Sequence, residues 1–329
     1  MTAVAIVAGF ALALTIGVAD AGNATANLVA ARAGTLRSIL TLSFLSHLIG
    51  ATFAGTAVAK AVLSAIDVPA DAITTIVAAG AVAAVVLLFA AGRFGIPVSA
   101  GLVLVGGLAG AAWRSDGRHA VVWGGLHGIR PYGVIGAALA MVVAPVAGLL
   151  AALIGRHIAG IGLRGATRRA RGPLHVVLWA SSGLVGIADG TNDGQKAMAV
   201  VTAVLVARGS LAPGSIPLWV RVTIGLTLGV GTVLGAKVLH TVSRRLYPTR
   251  PVDAVTAETT SAVVILASSA VGAPISTTAV VTSGVIGSGL ATRPHHVHWS
   301  AVARIALAWA AALPVSMLLG ALTCAIFGG

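Results

Sequence analysis

Charged side chains are scarce in this 329-residue chain. They make up 9% of the residues and only eight are acidic, whereas 57% of the residues are hydrophobic. A soluble domain carries charge on roughly a quarter of its residues. The composition therefore excludes an ordinary soluble protein and indicates a membrane protein.

Cysteine and aromatic residues are also sparse. The single cysteine, Cys324, has no partner for a disulfide or a CxxC metal pair. Aromatic residues make up 4% of the chain, so the net charge of +13 is not accompanied by an aromatic nucleic-acid platform. We predict no nucleic-acid partner, and because no nucleophile, base and orienting residue stand out, no enzyme.

Long runs without charge are abundant instead. Most can cross a hydrocarbon core of roughly 30 Å as a helix. The runs are residues 1–19, 72–92, 131–155, 259–292 and 305–329. We therefore predict an all-α integral membrane protein that crosses the cell membrane several times and contacts the lipid bilayer.

Basic residues lie in short connections, as the excess of Lys and Arg in cytoplasmic loops predicts. The segment 156–173 carries five arginines and no acid. We predict that it is a cytoplasmic linker between a first transmembrane repeat, residues 1–155, and a second, residues 174–329. The arginines of segment 244–250 are also predicted to be cytoplasmic.

Two pairs of similar segments indicate the duplication. GVADAGNATANLVAARA resembles GIADGTNDGQKAM when Asp20 is aligned with Asp193, an offset of 193 − 20 = 173 residues. GIPVSAGLVLVGGLAG resembles GAPISTTAVVTSGVIG with Pro97 on Pro274, an offset of 274 − 97 = 177. Secondary transporters are often built from such repeats. Because the charge bias starts the two halves on opposite sides, we predict two inverted-topology repeats.

Each predicted repeat contains two breaks in its apolar helices. Glycine and polar residues mark the first break, and a Gly-x-Pro sequence marks the second. The breaks are predicted at residues 17–22, 95–97, 186–194 and 272–274. Non-helical backbone survives in a membrane only when it is buried in protein or lines a wet cavity. We therefore predict discontinuous helices or re-entrant hairpins here.

Acidic and amide side chains gather in or beside these breaks. Ionisable groups inside a membrane are functional candidates by default. Carboxylate and amide oxygens suit Na⁺, and a carboxylate can also carry a proton. The candidate coupling-cation residues are Asp20, Asn23, Asn192, Asp193, Gln195 and Glu258, with Na⁺ placed at Asp20, Asn23, Asn192 and Asp193. We predict no cofactor besides this coupling ion.

The segment PISTT predicts a complementary anion site. A helix that begins after Pro274 offers free N–H groups, a positive dipole end and hydroxyl groups to an oxyanion. The segment PVS is a poorer version. The candidate anion-binding residues are Ser99, Ser276, Thr277, Thr278 and Lys196. Cation sites beside anion sites, in duplicate, predict a symporter.

Each of these groups also has a structural interpretation. Hydroxyl groups in membrane helices often bond to their own backbone or to a neighbouring helix. Asp193 and Lys196 can form a purely structural pair, and Asp189 can cap a helix. Glu258 lies near a loop boundary. The histidines at 295–298 are typical of a surface loop.

The motifs resemble those of the inorganic phosphate transporter (PiT) family, a group of phosphate symporters driven by Na⁺ or H⁺. TNDGQKAM (191–198) matches the second copy of the family's duplicated Asn-Asp motif, and DAGNA (20–24) matches the first from its aspartate onward. PISTT is similar to the family's PxSTT motif, and RPVDAVTAE places Glu258 on a family acid. The resemblance implies a secondary active transporter that imports inorganic phosphate with H⁺ or Na⁺.

The chain also departs from the family pattern, mostly in the first repeat. The departures are Ala19 for an asparagine, Ala100 and Gly101 for two threonines, Leu102 and Ala279 for histidines, and Asp189 for a histidine. They leave two alternatives open, a carrier of another oxyanion such as sulfate and a degenerate relative that no longer transports. The oligomeric state is open, with a homodimer as one option.

Overall fold

Most of the described residues are helical. The computed structural model describes residues 1–96, 98–162, 171–236, 251–291 and 299–328. The α-helices are α1 (Thr2–Asp20), α2 (Ala26–Ala30), α3 (Leu36–Thr52), α4 (Ala57–Leu63), α5 (Ile73–Arg93), α6 (Ala100–Asp116), α7 (Gly133–Gly162), α8 (Arg171–Ala207), α9 (Leu218–Leu234), α10 (Pro251–Val271), α11 (Thr277–Leu290) and α12 (Trp299–Ile326). The strands β1 (Gly125–His127) and β2 (Arg130–Tyr132) form a short antiparallel hairpin before α7.

Several helices are long and apolar enough to cross a membrane. Within the described parts of the chain there are five, namely α1, α5, α7, α10 and residues 307–326 of α12. The helices α3 and α4 meet at a bend of 74° and together form a sixth, broken candidate. The predicted helical, multi-pass membrane architecture is confirmed.

The two halves of the chain interlock. Helix α7 packs against α10 and α11 of the second half, and α12 packs against α5 and α6 of the first. Helix α1 packs on α9 in the same way that α3 packs on α8. When α1 is matched with α8, α3 with α9, α5 with α10, α6 with α11 and α7 with α12, each of these contacts has a counterpart in the other half. The inverted direction of the second repeat stays a prediction.

Some predicted features cannot be placed. Pro97, residues 163–170 of the predicted linker, residues 244–250 and the histidines at 295–298 lie outside the described residues. The predicted boundary at residue 155 falls within α7, which continues to Gly162.

Three of the four predicted breaks are present, although the first begins at residue 21 rather than at 17, because α1 is helical through Asp20. Helix α1 ends at Asp20, and turns at residues 21–25 lead into α2. Residues 94–99 separate α5 from α6, and residues 272–276 separate α10 from α11. Both predicted Gly-x-Pro breaks are therefore followed by a new helix, at Ala100 and at Thr277.

The fourth predicted break, at residues 186–194, is wrong, because α8 continues through it without interruption. Gly186, Gly190 and Gly194 lie four residues apart on one face of α8 and pack against α3. A side chain on Gly190 would overlap the backbone of His47. Small residues at this spacing let membrane helices approach closely. These glycines therefore serve helix packing.

The packing of Gly190 predicts a stability difference between two glycine substitutions. Gly190→Ala should lower the thermal midpoint of the purified protein, because overpacking costs about 1–3 kcal/mol. Gly92→Ala in α5 places its methyl group in open space. It should leave the midpoint unchanged or raise it, since alanine favours a helix over glycine by about 1 kcal/mol. Thermal unfolding in detergent measures both, and equal midpoints would contradict the packing role.

Candidate substrate and cation site

Carboxylates from the two halves of the chain meet at the start of α11. The Thr278 hydroxyl donates to Asp20 Oδ1 at 2.6 Å, and the Thr277 hydroxyl donates to Asp193 Oδ2 at 2.9 Å. Asp20 is 6% exposed and Asp193 2%. One helical turn thus holds both carboxylates side by side in a buried cluster.

The break after α1 adds an amide to this cluster. Asn23 Nδ2 donates to Asp20 Oδ1 at 3.0 Å. It also lies 3.2 Å from the Thr278 hydroxyl and 3.4 Å from the Thr277 hydroxyl. Because Asn23 lies in the turn rather than in a helix, its side chain reaches α11 from the first half of the chain.

A buried ammonium group neutralises one of the two carboxylates. Lys196 lies three residues after Asp193 on α8, and its Nζ forms an ion pair with Asp193 Oδ1. The same Nζ donates to the carbonyl oxygen of Ile275 at 2.7 Å. Lys196 is 1% exposed. The lysine therefore links α8 to the segment that precedes α11.

The starts of α6 and α11 converge beside this lysine. Ser99 and Ser276 each cap their helix, accepting the N–H three residues on at 3.4 and 3.3 Å. A Cβ atom on Gly101 would lie 2.6 Å from the Pro274 carbonyl oxygen and 3.2 Å from Cε of Lys196. Two positive helix ends therefore meet at one place, where a negative group is favoured.

Asp189 forms a buried pair with His47, a residue that was not identified from the sequence. Asp189 lies in the middle of α8, so the helix-cap interpretation is wrong. His47 Nδ1 donates to the Ser43 carbonyl oxygen at 2.8 Å, which leaves Nε2 facing Asp189 Oδ2 at 3.9 Å. That Nε2 and both Asp189 carboxylate oxygens have no hydrogen-bond partner among the described residues. The sequence feature that could have identified His47 is the presence of a second polar residue, Ser43, one turn before it on an apolar helix.

Asn192 and Gln195 use their side chains to hold neighbouring elements. Asn192 Nδ2 donates to the Ser269 hydroxyl at 2.9 Å and to the Ala273 carbonyl oxygen at 3.0 Å. Gln195 Oε1 accepts the N–H of Val58 at 2.9 Å. Asn192 thus anchors the segment between α10 and α11, and Gln195 ties α4 to α8. The side-chain oxygen Oδ1 of Asn192 is buried and has no hydrogen-bond partner in the described part of the chain.

Glu258 occupies a polar cage of its own. It accepts hydrogen bonds from Asn27 at 3.0 Å, Ser181 at 2.5 Å and Ser182 at 3.0 and 3.1 Å. It is 1% exposed and lies two turns inside α10 rather than at a loop boundary. These hydrogen bonds join α2, α8 and α10. Glu258 forms no ion pair with any of the described residues.

Negative charge is in excess at the centre of the site. Asp189 lies one turn before Asp193 on α8, and Thr277 and Thr278 join Asp193 to Asp20, so three buried carboxylates lie near the one ammonium of Lys196. Like charges about 4 Å apart repel by roughly 4 kcal/mol at an effective dielectric constant of 20. The cluster therefore requires a bound cation or a proton, and the adjacent helix ends can receive an anion.

The fold and the site define a membrane transporter, in which broken helices meet at a buried charged cluster. The chain belongs to the phosphate transporter family. The sequence profile with the description "Phosphate transporter family" matches residues 16–171 and again 162–320. This match confirms the resemblance of the motifs and the expectation of a transporter rather than an enzyme.

Individual relatives agree with this assignment. The chain is 35% identical over 326 residues to the "Probable low-affinity inorganic phosphate transporter" of Mycobacterium leprae, covering 97% of this chain and 76% of the relative. It is 29% identical over 327 residues to the protein of the same name from Bacillus subtilis, covering 98% and 96%. A solved structure named "The sodium-dependent phosphate transporter" has the same fold, with a TM-score of 0.87 at 21% identity over 99% of this chain and 98% of that one.

The charge balance predicts opposite effects for two neighbouring aspartates. Asp189→Asn should raise the thermal midpoint of the phosphate-free protein in detergent, because it removes an unpaired buried carboxylate and its amide can donate to His47. Asp193→Asn should lower the midpoint, because breaking a buried ion pair costs about 3–5 kcal/mol. Shifts in the same direction for both variants would show that this charge balance is wrong.

Proposed function

We propose that the protein imports inorganic phosphate across the cell membrane by symport with a monovalent cation, H⁺ or Na⁺. The observation that carries the proposal is the first turn of α11, whose Thr277 and Thr278 hydroxyls donate to Asp193 and Asp20. A helix end that favours an anion and carboxylates that favour a cation thus share one buried site.

Phosphate binds, in this proposal, where α6 and α11 begin. Unpaired N–H groups of a first turn and the positive helix end stabilise an oxyanion. Hydrogen bonds to a charged acceptor are stronger than bonds between neutral groups. The donors are the hydroxyls of Ser99 and Ser276, and those of Thr277 and Thr278 when they turn from Asp193 and Asp20 toward the anion, with Lys196 as the adjacent positive charge.

The cation binds among the carboxylates. Asp20 and Asp193 supply charge, and Asn23 supplies an amide group beside them. The remaining candidates are Asn192 and Gln195 on α8, and Glu258 as a separate proton or cation site. Coupling follows from charge, because phosphate placed beside uncompensated carboxylates is repelled, and a cation between them removes that repulsion.

The comparisons support phosphate as the substrate. The two relatives from Mycobacterium leprae and Bacillus subtilis are named as inorganic phosphate transporters. The solved structure with the same fold is named as sodium-dependent, which supports cation coupling in general. Another oxyanion such as sulfate, and a chain that no longer transports, are the alternatives that the transport experiment separates.

Uptake of radiolabelled phosphate by the reconstituted protein tests the proposal. An inward Na⁺ gradient and an inward proton gradient are imposed separately, and one of them should accelerate uptake above the rate without a gradient. Excess sulfate should leave the uptake intact. If the protein is a sulfate carrier, excess sulfate should abolish phosphate uptake, whereas excess phosphate should not reduce sulfate uptake. If neither anion is taken up, the protein is a relative that no longer transports.

Ser276→Ala tests the anion half of the site. The variant should raise the KM for phosphate at least ~10-fold, because a hydrogen bond to a charged group contributes about 1.5–3 kcal/mol. Ser288→Ala is the matched control, since Ser288 lies near the other end of α11 and donates to the Asp253 carbonyl oxygen at 3.0 Å. Its KM should not change. Equal KM values for both variants would contradict the role of Ser276, and thermal midpoints report the loss of its cap separately.

A further inference from the structure

Lys196 and Asn23 occupy equivalent positions in the two halves of the chain. Asp20 corresponds to Asp193 at an offset of 173, and the same offset relates Asn23 to Lys196, because 196 − 23 = 173, so each lies three residues after its aspartate. The first half thus has an aspartate followed by an amide, and the second has an aspartate followed by an ammonium.

The hydrogen bonds of the two halves follow one pattern. In the first, Asn23 and Thr278 both donate to Asp20. In the second, Lys196 and Thr277 both donate to Asp193. The two halves therefore share the hydrogen-bond pattern but differ in charge. The neutral amide of Asn23 leaves the charge of Asp20 uncompensated, whereas the ammonium of Lys196 neutralises Asp193.

The Lys196 ammonium lies among oxygen atoms that would suit a small cation. It contacts a carboxylate oxygen of Asp193 and, at 2.7 Å, the carbonyl oxygen of Ile275. Hard cations take carboxylate and carbonyl oxygens as ligands. A sodium ion on these two oxygens would compete with the ammonium that holds them.

Gly101 makes room for this arrangement. A Cβ atom at that position would lie 3.2 Å from Cε of Lys196 and 2.6 Å from the Pro274 carbonyl oxygen. The lysine stem therefore passes through space that a larger side chain at Gly101 would occupy. The missing side chain at the start of α6 and the lysine on α8 are complementary.

We propose that Lys196 is a tethered cation that takes the place of one transported cation in the second half of the site. The mobile cation then binds only in the first half, at Asp20. This inference rests on the proposed function, in that the same cluster binds the coupling cation. It implies that the chain binds at most one sodium ion in the cluster.

Counting bound sodium tests the inference without requiring transport. Equilibrium binding of radioactive Na⁺ is measured on the purified full-length chain, with inorganic phosphate present and choline as the balancing cation. The wild type should bind one Na⁺ or none. Lys196→Asn recreates the residue of the first half and should bind one Na⁺ more than the wild type. Lys60→Asn, an exposed lysine of α4 outside the cluster, should bind the wild-type number.

Transport gives a second readout for the same variants. Phosphate uptake by Lys196→Asn should become at least ~10-fold faster with Na⁺ than without it, because Asp193 has lost a buried partner whose removal is strongly unfavourable. Uptake by Lys60→Asn should keep the wild-type response to Na⁺.

The outcomes separate this inference from the proposed function. Two Na⁺ ions on the wild type, or the same number on Lys196→Asn as on the wild type, would overturn the tethered cation. If Lys196→Asn does not fold, the wild-type count alone decides, with one or none in support. A wild type that binds the expected Na⁺ but moves no phosphate refutes the proposed function and leaves the inference intact.

Discussion

The site depends on hydrogen bonds and positive charge that stabilise carboxylates buried away from water. A buried charge is costly unless it is paired and hydrogen-bonded. Asp20 and Asp193 receive hydroxyl groups from consecutive residues only because a helix begins beside them. The break at Pro274 is thus an electrostatic requirement, since it brings hydroxyl donors and a positive helix end to the carboxylates.

The two halves present these carboxylates on different backbones. Asp193 and Lys196 lie on one continuous helix that glycines hold tightly against α3. Asp20 lies at the end of α1, and Asn23 lies in the turn that follows. The second half therefore holds the ion pair on one continuous, tightly packed helix. The first half instead presents its carboxylate at a helix end and its amide on a buried turn.

Features with a local sequence signal were predicted most accurately. Proline lacks an N–H group and disfavours helical backbone in the residue before it, so two breaks could be located from Gly-x-Pro alone. The common offset predicted that Asp20 and Asp193 are equivalent, and the structure brings them together. At residues 186–194 the same reasoning failed, because glycine permits either a break or a close helix contact and the partner helix decides which. His47 was missed for a related reason, since its significance depends on Asp189 on another helix.

The departures of the first repeat are better understood as specialisation than as decay. Loss of function would remove ligands from both halves without compensation, whereas here the changes are complementary. Gly101 lacks a hydroxyl group, and the space beside it holds the stem of Lys196 and the carbonyl oxygen of Pro274. Ser99 is fully buried and still caps α6, so the positive end of that helix is preserved. The start of α11 thus supplies most of the hydroxyl groups, and the start of α6 supplies room and a helix dipole. We therefore infer that a symmetric fold holds an asymmetric site in which one half binds a mobile cation and the other carries its own.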